Sequence, residues 1–230
     1  MSMTVRTYES RIEQAAGLAR ACVMQLSQTI LAKGVATLAV PGGTTPAPFL
    51  EALSGEAVDW SAVRVMPTDE RLVPDTSERS NARLIKAHLM QGEAASAQFV
   101  PLTPEDMGQS AEASAEEVAA TILDVLPLDI CVLGMGADMH TASLFPGGDR
   151  LADAMAFDAP TVLSMRTPAA PEPRLTLTAP VLTTATHLHI LITGEAKLDA
   201  LHAAAQTPAM EAPVRVILDA PAGVTVHYAV

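Results

Sequence analysis

The sequence predicts an α/β protein whose parallel sheet is covered by helices on both faces. Short runs of β-branched and apolar residues alternate with alanine-rich segments of helical length along the 230 residues. The runs are mostly apolar, as in strands that are buried on both faces of a sheet. Hydrophobic residues make up 49% of the chain and charged residues 17%, which argues against a disordered chain and allows one large core.

Five strands and five helices are predicted. The strands are the apolar runs 35–40, 63–66, 129–133, 161–165 and 189–193. The helices are the segments 9–32, 45–53, 80–90, 110–125 and 195–205, with Ser80 or Asn81 as a cap of the third and Ser110 of the fourth. Right-handed crossovers bring the loops after the strands to one edge of the sheet, where ligands bind in this fold class.

Charge and composition exclude several classes of function. The 14 basic and 26 acidic residues give a formal charge of −12, which disfavours nucleic acid as a partner. Cys22 and Cys131 lie far apart in apolar stretches and predict buried, reduced thiols, and the spacing of cysteines and histidines does not fit a zinc site. Neither a signal peptide nor a membrane-spanning run is visible, so we expect a cytoplasmic protein. The sequence leaves the oligomeric state open between a monomer and a small homo-oligomer.

Residues 1–230 are interpreted as a single domain. The only candidate linker is the proline-rich stretch 167–173. At seven residues this stretch fits a surface loop better than a connection between domains.

The first loop at the predicted ligand edge contains Gly42, Gly43, Thr44 and Thr45, directly after a strand and before a helix. Two glycines let the backbone approach a ligand closely, and free N–H groups at a helix N-terminus favour an anion such as phosphate. The loop lacks the lysine of a P-loop, and its alternative interpretation is a tight strand-to-helix turn. Its position at the sheet edge favours phosphate binding.

The second loop places three charged residues, Asp69, Glu70 and Arg71, after an apolar strand. Arg71 could hold a phosphate through two parallel hydrogen bonds, and Asp69 or Glu70 could orient Arg71 or bind sugar hydroxyls. Asn81 could cap the next helix or direct its amide toward the same cleft. The alternative for the charged residues is a surface salt-bridge cluster.

The third loop carries His140 and Asp138, in a glycine-rich segment directly after a buried strand. An imidazole suits proton transfer near neutral pH, and Asp138 could orient the ring or raise its basicity. The alternative is a structural histidine that is satisfied by the loop itself. The other histidines are assigned to structure or surface, namely His88, His187, His189, His202 and His227.

Two further basic residues fall at strand ends, Arg174 after the proline-rich loop and Lys197 in a strand-to-helix turn. Each of them alone would be a solvated surface cation. Together with Arg71 they predict a positive pocket in a negative protein, which fits a small anionic substrate.

These loops resemble the 6-phosphogluconolactonase family, which is related to sugar-phosphate isomerases. The resemblance runs through nearly the whole chain in order, in residues 41–46, 68–74 with 80–81, 133–147, 174–178 and 194–197. It implies a Rossmann-like, mostly parallel sheet with a smaller β-containing subdomain. It also implies hydrolysis of 6-phospho-D-glucono-1,5-lactone in the oxidative pentose phosphate pathway, with no cofactor and no metal.

The chain departs from the family pattern at Met139, where the family usually has glycine. Methionine would be strained there if the backbone needs a positive φ. The C-terminal residues 224–230 also lack the tryptophan and aspartate expected from the family.

Two alternatives to the lactonase remain at this stage. One is an isomerase or deaminase of amino-sugar phosphates, whose members carry an Asn-Glu pair where this chain has residues 144–146, Leu-Phe-Pro. The other is a non-catalytic sugar-phosphate sensor, against which His140 and Asp138 argue.

Overall fold

Strands and helices alternate along the chain in a computed structural model that describes residues 3–168 and 170–230. The strands are β1 Met3–Tyr8, β2 Ala36–Val40, β3 Val63–Pro67, β4 Asp69–Arg71, β5 Gln98–Phe99, β6 Ile130–Gly134, β7 Val162–Met165, β8 Arg174–Leu177, β9 His187–Thr193 and β10 Val224–Ala229. The α-helices are α1 Arg11–Lys33, α2 Ala47–Ser54, α3 Asn81–His88, α4 Ala111–Thr121, α5 Leu151–Met155, α6 Ala179–Thr183, α7 Glu195–Ala204 and α8 Arg215–Leu218.

Seven strands form one sheet in the order β1-β10-β9-β6-β2-β3-β5, and every neighbouring pair is parallel. Successive residues of a strand point to opposite faces, and here both faces are apolar. In β2, Leu38 packs with Leu18 and Leu26 of α1, whereas Ala39 belongs to the core on the other face. The predicted sheet with helices on both faces, Rossmann-like in kind, is therefore confirmed.

A second, smaller sheet of three antiparallel strands has the order β4-β8-β7. It corresponds to the β-containing subdomain that the resemblance implied. The run 161–165 was predicted as a strand of the parallel sheet, and this assignment is wrong because β7 pairs with β8 in the small sheet. All four residues of β7 are buried, and an apolar run of this kind fits either sheet equally well.

The predicted helices form close to their predicted ends, and serine caps explain three of the starts. Ser10, Ser80 and Ser110 each accept a hydrogen bond at the side-chain oxygen from the backbone N–H three residues later. The segment predicted as one helix over 110–125 ends its α-helix at Thr121, and a short 3-10 turn over Leu123–Val125 follows.

The two cysteines are buried and unpaired. Burial raises the pKa of both the Cys22 and the Cys131 thiol, which keeps them protonated and unreactive. Helices of the described chain are all too short or too polar to cross a membrane.

Candidate functional site

The loops after β2, β3, β6 and β9 meet at the carboxyl edge of the large sheet and enclose a cavity of about 300 Å³. All but one of the predicted site residues line it, and they are Gly42, Gly43, Thr44, Thr45, Asp69, Arg71, Asn81, His140, Arg174 and Lys197. Asp138 is the exception. Residues that are more than a hundred positions apart in sequence thus meet, because parallel strands end at the same edge.

Glycine is required at position 42 by the packing of the diglycine loop against α3. A Cβ atom on Gly42 would lie 1.8 Å from Oδ1 of Asn81, and Gly43 has a φ of +95°. The loop continues into α2, whose N-terminus has no side-chain cap. Pro46 and Pro48 at the start of this helix have no N–H, so the backbone donors nearest the cavity are those of the loop residues 42–45.

Glu70 does not take part in the cavity, because its carboxylate holds the start of α3. It accepts hydrogen bonds from the backbone N–H groups of Arg71, Asn81 and Ala82 at 2.7, 2.8 and 2.6 Å, and from the Ser80 hydroxyl at 3.1 Å. Burial raises the pKa of Glu70, and these four hydrogen bonds act in the opposite direction. Of the two carboxylates left open by the sequence, only Asp69 lines the cavity.

Asp69 is held in a fixed position by residues from three other segments. Its Oδ2 accepts a hydrogen bond of 2.6 Å from the Ser143 hydroxyl and lies 3.7 Å from Nη1 of Arg174. Asn81 donates from Nδ2 to the Asp69 carbonyl at 2.7 Å, while its buried Oδ1 has no partner. Since Ser80 caps α3, the side chain of Asn81 is not needed as a cap, and its Oδ1 is the one polar atom of the amide left as an acceptor at the cavity.

His140 and Asp138 form a dyad at the end of β6. Nδ1 of His140 lies 2.5 Å from Oδ1 of Asp138, and Nε2 makes no hydrogen bond with any residue the structure describes. Gly136 makes this contact possible, because a Cβ there would lie 2.2 Å from Nδ1 of His140 and 2.3 Å from Oδ1 of Asp138. The imidazole therefore has one nitrogen fixed by a carboxylate and the other left for a substrate or water.

Met139 adopts the left-handed backbone that favours glycine, with a φ of +65°. For a residue with a Cβ this conformation costs about 1–2 kcal/mol. Its N–H donates to the Gly136 carbonyl, and its carbonyl accepts from the Val214 N–H, both at 3.0 Å. Its side chain packs against the hydrophobic core. These contacts hold the strained residue in place and preserve the loop that carries His140.

The basic residues of the cavity have donors to spare. The Nε atoms of Arg71 and Arg174 are buried without a hydrogen-bond partner. The Arg174 guanidinium lies 5.2 Å from the centroid of the Phe145 ring, which in turn packs against His140. Burial lowers the pKa of Lys197, and the nearby charge of Arg11 lowers it further. Together these groups make the cavity positive.

Two residues at or beside the site were not found from the sequence. Ser143 binds Asp69, and its backbone N–H donates to the Thr176 hydroxyl at 3.2 Å. Arg11 lies beside Thr44 and Thr45 in a small adjoining cavity. Nothing local marks Arg11, which begins the first helix. Ser143 lies three residues after His140, within the segment 133–147 that carries the family resemblance. This proximity was the sequence signal that could have identified it.

Comparison with known proteins identifies the family. The model of the family described as glucosamine-6-phosphate isomerases/6-phosphogluconolactonase matches residues 9–227. The chain belongs to this family. Among curated relatives, the 6-phosphogluconolactonase of Rhizobium meliloti (strain 1021) is 41% identical over 221 residues, covering 95% of this chain and 94% of the relative.

Two further members of the family support the match. The 6-phosphogluconolactonase of Pseudomonas aeruginosa is 41% identical over 232 residues, covering 97% of this chain and 94% of the relative. The crystal structure of a 6-phosphogluconolactonase from Shewanella baltica OS155 superposes with a TM-score of 0.94 at 31% identity, covering 99% of this chain and 98% of that chain. The family resemblance predicted from the loops is therefore confirmed.

Proposed function

We propose that this chain is a lactonase that hydrolyses 6-phospho-D-glucono-1,5-lactone to 6-phosphogluconate in the oxidative pentose phosphate pathway. Relatives with 41% identity carry the name 6-phosphogluconolactonase. The observation that carries the proposal is one cavity that combines an imidazole with three basic side chains and a diglycine loop. The first supplies a base, and the others supply a site for a phosphate.

The phosphate of the substrate binds at the loop 42–45 and is held by Arg71 and Lys197. Charge-assisted hydrogen bonds of this kind contribute about 1.5–3 kcal/mol each. Arg174 adds a third cation near Asp69, which is placed to accept a hydrogen bond from a sugar hydroxyl. The phosphate lies far from the reacting carbon, so this binding energy serves to position the lactone ring.

His140 acts as the general base. Its imidazole takes a proton from water while the water oxygen bonds to C1 of the lactone, and Asp138 holds the ring and stabilises the imidazolium that forms. The bond between C1 and the ring oxygen then breaks, and that oxygen takes the proton from His140. The N–H of Gly136 donates to the His140 carbonyl, so the donors for the C1 oxyanion must come from other groups.

The cavity favours the lactonase over a deaminase of amino-sugar phosphates. Asp69 is the one carboxylate among the described residues that line it, and Asp69 is engaged by Ser143 and Arg174. A deaminase needs a further carboxylate for ring opening and proton transfer. The segment where its relatives carry an Asn-Glu pair reads Leu144, Phe145 and Pro146 here.

Two assays with the purified protein test this function. The lactone is generated in place and its hydrolysis is corrected for the spontaneous rate, and ammonia release from glucosamine 6-phosphate is measured in parallel. We expect lactone hydrolysis and no ammonia. A protein that binds sugar phosphates but accelerates neither reaction would instead be the non-catalytic sensor.

The role of His140 is tested by His140→Ala, which should lower kcat about 10²–10⁴-fold with little change in KM, because the base acts on the transition state. Near-normal turnover would show that another group activates the water.

Asp138→Asn should give a smaller loss of kcat, since it leaves the imidazole in place but removes the charge that stabilises its protonated form.

The remaining expectations follow from the same proposal. We infer that residues 1–230 work as a single domain, because residues from both sheets line the cavity. No group of three or more His, Cys, Asp or Glu within the described part of the chain could hold a metal ion, and the proposed reaction needs neither metal nor cofactor. A cytoplasmic location, a monomer or small homo-oligomer and the lack of nucleic-acid binding stay predictions.

A further inference from the structure

A second cavity of about 610 Å³ lies between α1 and the edge strand β1 and shares no residue with the site described above. Its walls include Arg6 and Tyr8 of β1, Arg20 and Gln25 of α1, and His189 of β9. Neither an aspartate nor a glutamate is found among the described residues that line it. In a protein with a formal charge of −12, a cavity with two arginines and no carboxylate is unexpected.

The two arginines of this cavity are not neutralised by the protein. Neither Arg6 nor Arg20 forms an ion pair with a residue that the structure describes, whereas the exposed Arg166 and the partly buried Arg150 and Arg215 do. Burial raises the pKa of Tyr8, and both guanidinium groups lie close enough to its hydroxyl to act in the opposite direction. The two positive charges therefore converge on one phenol.

The wall of the cavity is a chain of hydrogen bonds that leads inward from Tyr8. The Tyr8 hydroxyl lies 2.8 Å from Nδ1 of His227, Nε2 of His227 lies 3.2 Å from Nδ1 of His189, and Nε2 of His189 lies 2.9 Å from Oε1 of Gln25. The amide oxygen of Gln25 only accepts, so with neutral histidines each group donates to the next, starting from Tyr8.

The direction of these hydrogen bonds decides which atoms of Gln25 are free at the surface of the cavity. The amide oxygen of Gln25 is occupied by His189, which leaves its NH₂ group without a partner among the described residues. The cavity thus offers the guanidinium groups of Arg6 and Arg20 and the amide donors of Gln25. It offers donors in excess and no charged acceptor, which is the surface that an anion requires.

Packing against α1 gives this wall a fixed shape. A Cβ atom on Gly17 would lie 2.3 Å from Cε1 of Tyr8, so the ring can rest on the helix only because residue 17 is glycine. The Tyr8 ring also stacks on His227, with centroids 5.7 Å apart and planes 11° from parallel. A preformed wall reduces the ordering cost of binding.

We propose that the cavity between α1 and β1 is a second binding site, and that it takes a small dianion bearing a phosphate or two carboxylates, held by Arg6, Arg20 and Gln25. A planar guanidinium matches both phosphate and carboxylate oxygens, and two of them match two negative charges. The volume exceeds that of a bare phosphate ion, which leaves room for the organic part of such a ligand.

The test is a titration of the purified protein with inorganic phosphate, and separately with malonate, followed by the imidazole resonances of the assigned histidines. His140 reports the cavity at the carboxyl edge of the sheet, and His189 and His227 report the proposed site. We expect one or both anions to move the His189 and His227 resonances in a saturable manner. A response to phosphate alone, to malonate alone or to both would identify the class of dianion that binds.

Arg6→Gln together with Arg20→Gln should weaken the His189 and His227 response at least tenfold and leave the His140 response intact. The matched control is Arg64→Gln with Arg150→Gln, which removes the same charge from surface positions that pair with Asp124 and Asp153. It should leave both responses in place. Two outcomes would overturn the proposal. In the first, malonate has no effect, and the His189 and His227 resonances do not move at phosphate concentrations that saturate the His140 response. In the second, the two double variants behave alike.

Discussion

Replacing Gly136 with alanine should separate the His140–Asp138 dyad without unfolding the protein. The added Cβ would lie 2.2 Å from Nδ1 of His140 and 2.3 Å from Oδ1 of Asp138, where real Cβ contacts do not occur. Gly136 has no positive φ, so alanine brings no backbone strain. The dyad must therefore open or turn, and both side chains are partly exposed and able to do so.

The expected loss follows from the proposed role of the dyad. A positioned general base contributes about 10²–10⁴-fold to the rate, and displacing a reacting group by about 1 Å costs about 10²-fold. We expect Gly136→Ala to lower kcat about 10²-fold, with KM nearly unchanged because the proposed phosphate contacts of Arg71 and Lys197 are not altered. The free energy of unfolding should change by less than about 1 kcal/mol.

The assay is steady-state lactone hydrolysis, corrected for the spontaneous reaction, together with urea unfolding. Gly134→Ala is the matched control, because a Cβ at Gly134 meets nothing within 4 Å and the residue is also without a positive φ. It should keep kcat, and any effect of its methyl group should fall on KM. Wild-type kcat in Gly136→Ala, or an equal loss in both variants, would refute the coupling of the dyad to turnover.

Three further predictions concern binding, strain and pH. Arg71→Ala should raise KM tenfold or more with a smaller change in kcat, and an unchanged KM would count against a phosphate contact. Met139→Gly should keep kcat, whereas Met139→Val should lower the free energy of unfolding by about 1–2 kcal/mol, because a β-branched residue fits a φ of +65° poorly; urea unfolding distinguishes the two. Burial lowers the pKa of His189 to about 3 and of His227 to about 4, so their contribution to stability is complete above pH 6.5 and is lost as pH falls toward 4. Between pH 7.5 and pH 5, each histidine should lower the free energy of unfolding by about 2 kcal/mol. His227→Gln should make the free energy of unfolding, measured by urea, fall less steeply over this pH range. The same steepness as in the wild type would contradict the prediction.

Local patterns were enough to predict the general architecture and the sheet edge at which the candidate site residues meet. The strands β2, β3, β6 and β9 are apolar runs, and such runs form buried parallel strands wherever both faces of a sheet are covered. Once the strands are parallel, their following loops must meet, and this brings Gly42, Arg71, His140 and Lys197 to one edge without further information.

Strand pairing is one feature that the local patterns could not decide. The residues of the edge strand β1 are largely exposed and contain no apolar run. The segment is a strand because it pairs with β10 through backbone hydrogen bonds. The run 161–165 is apolar enough for either sheet, and only its neighbour β8 assigns it to the small one. Pairing partners lie outside any local window, so the sequence pattern is silent about them.

The roles of individual polar groups were likewise decided by tertiary contacts. Asp69 and Glu70 are adjacent and chemically similar, yet the pleat turns one toward the cavity and the other toward the start of α3. Arg6 and Arg20 look like ordinary surface cations in sequence and become a pair only where α1 crosses β1. The sequence by itself determined which chemical groups are present and at which edge of the sheet, whereas the three-dimensional contacts determined which of them remain free to bind.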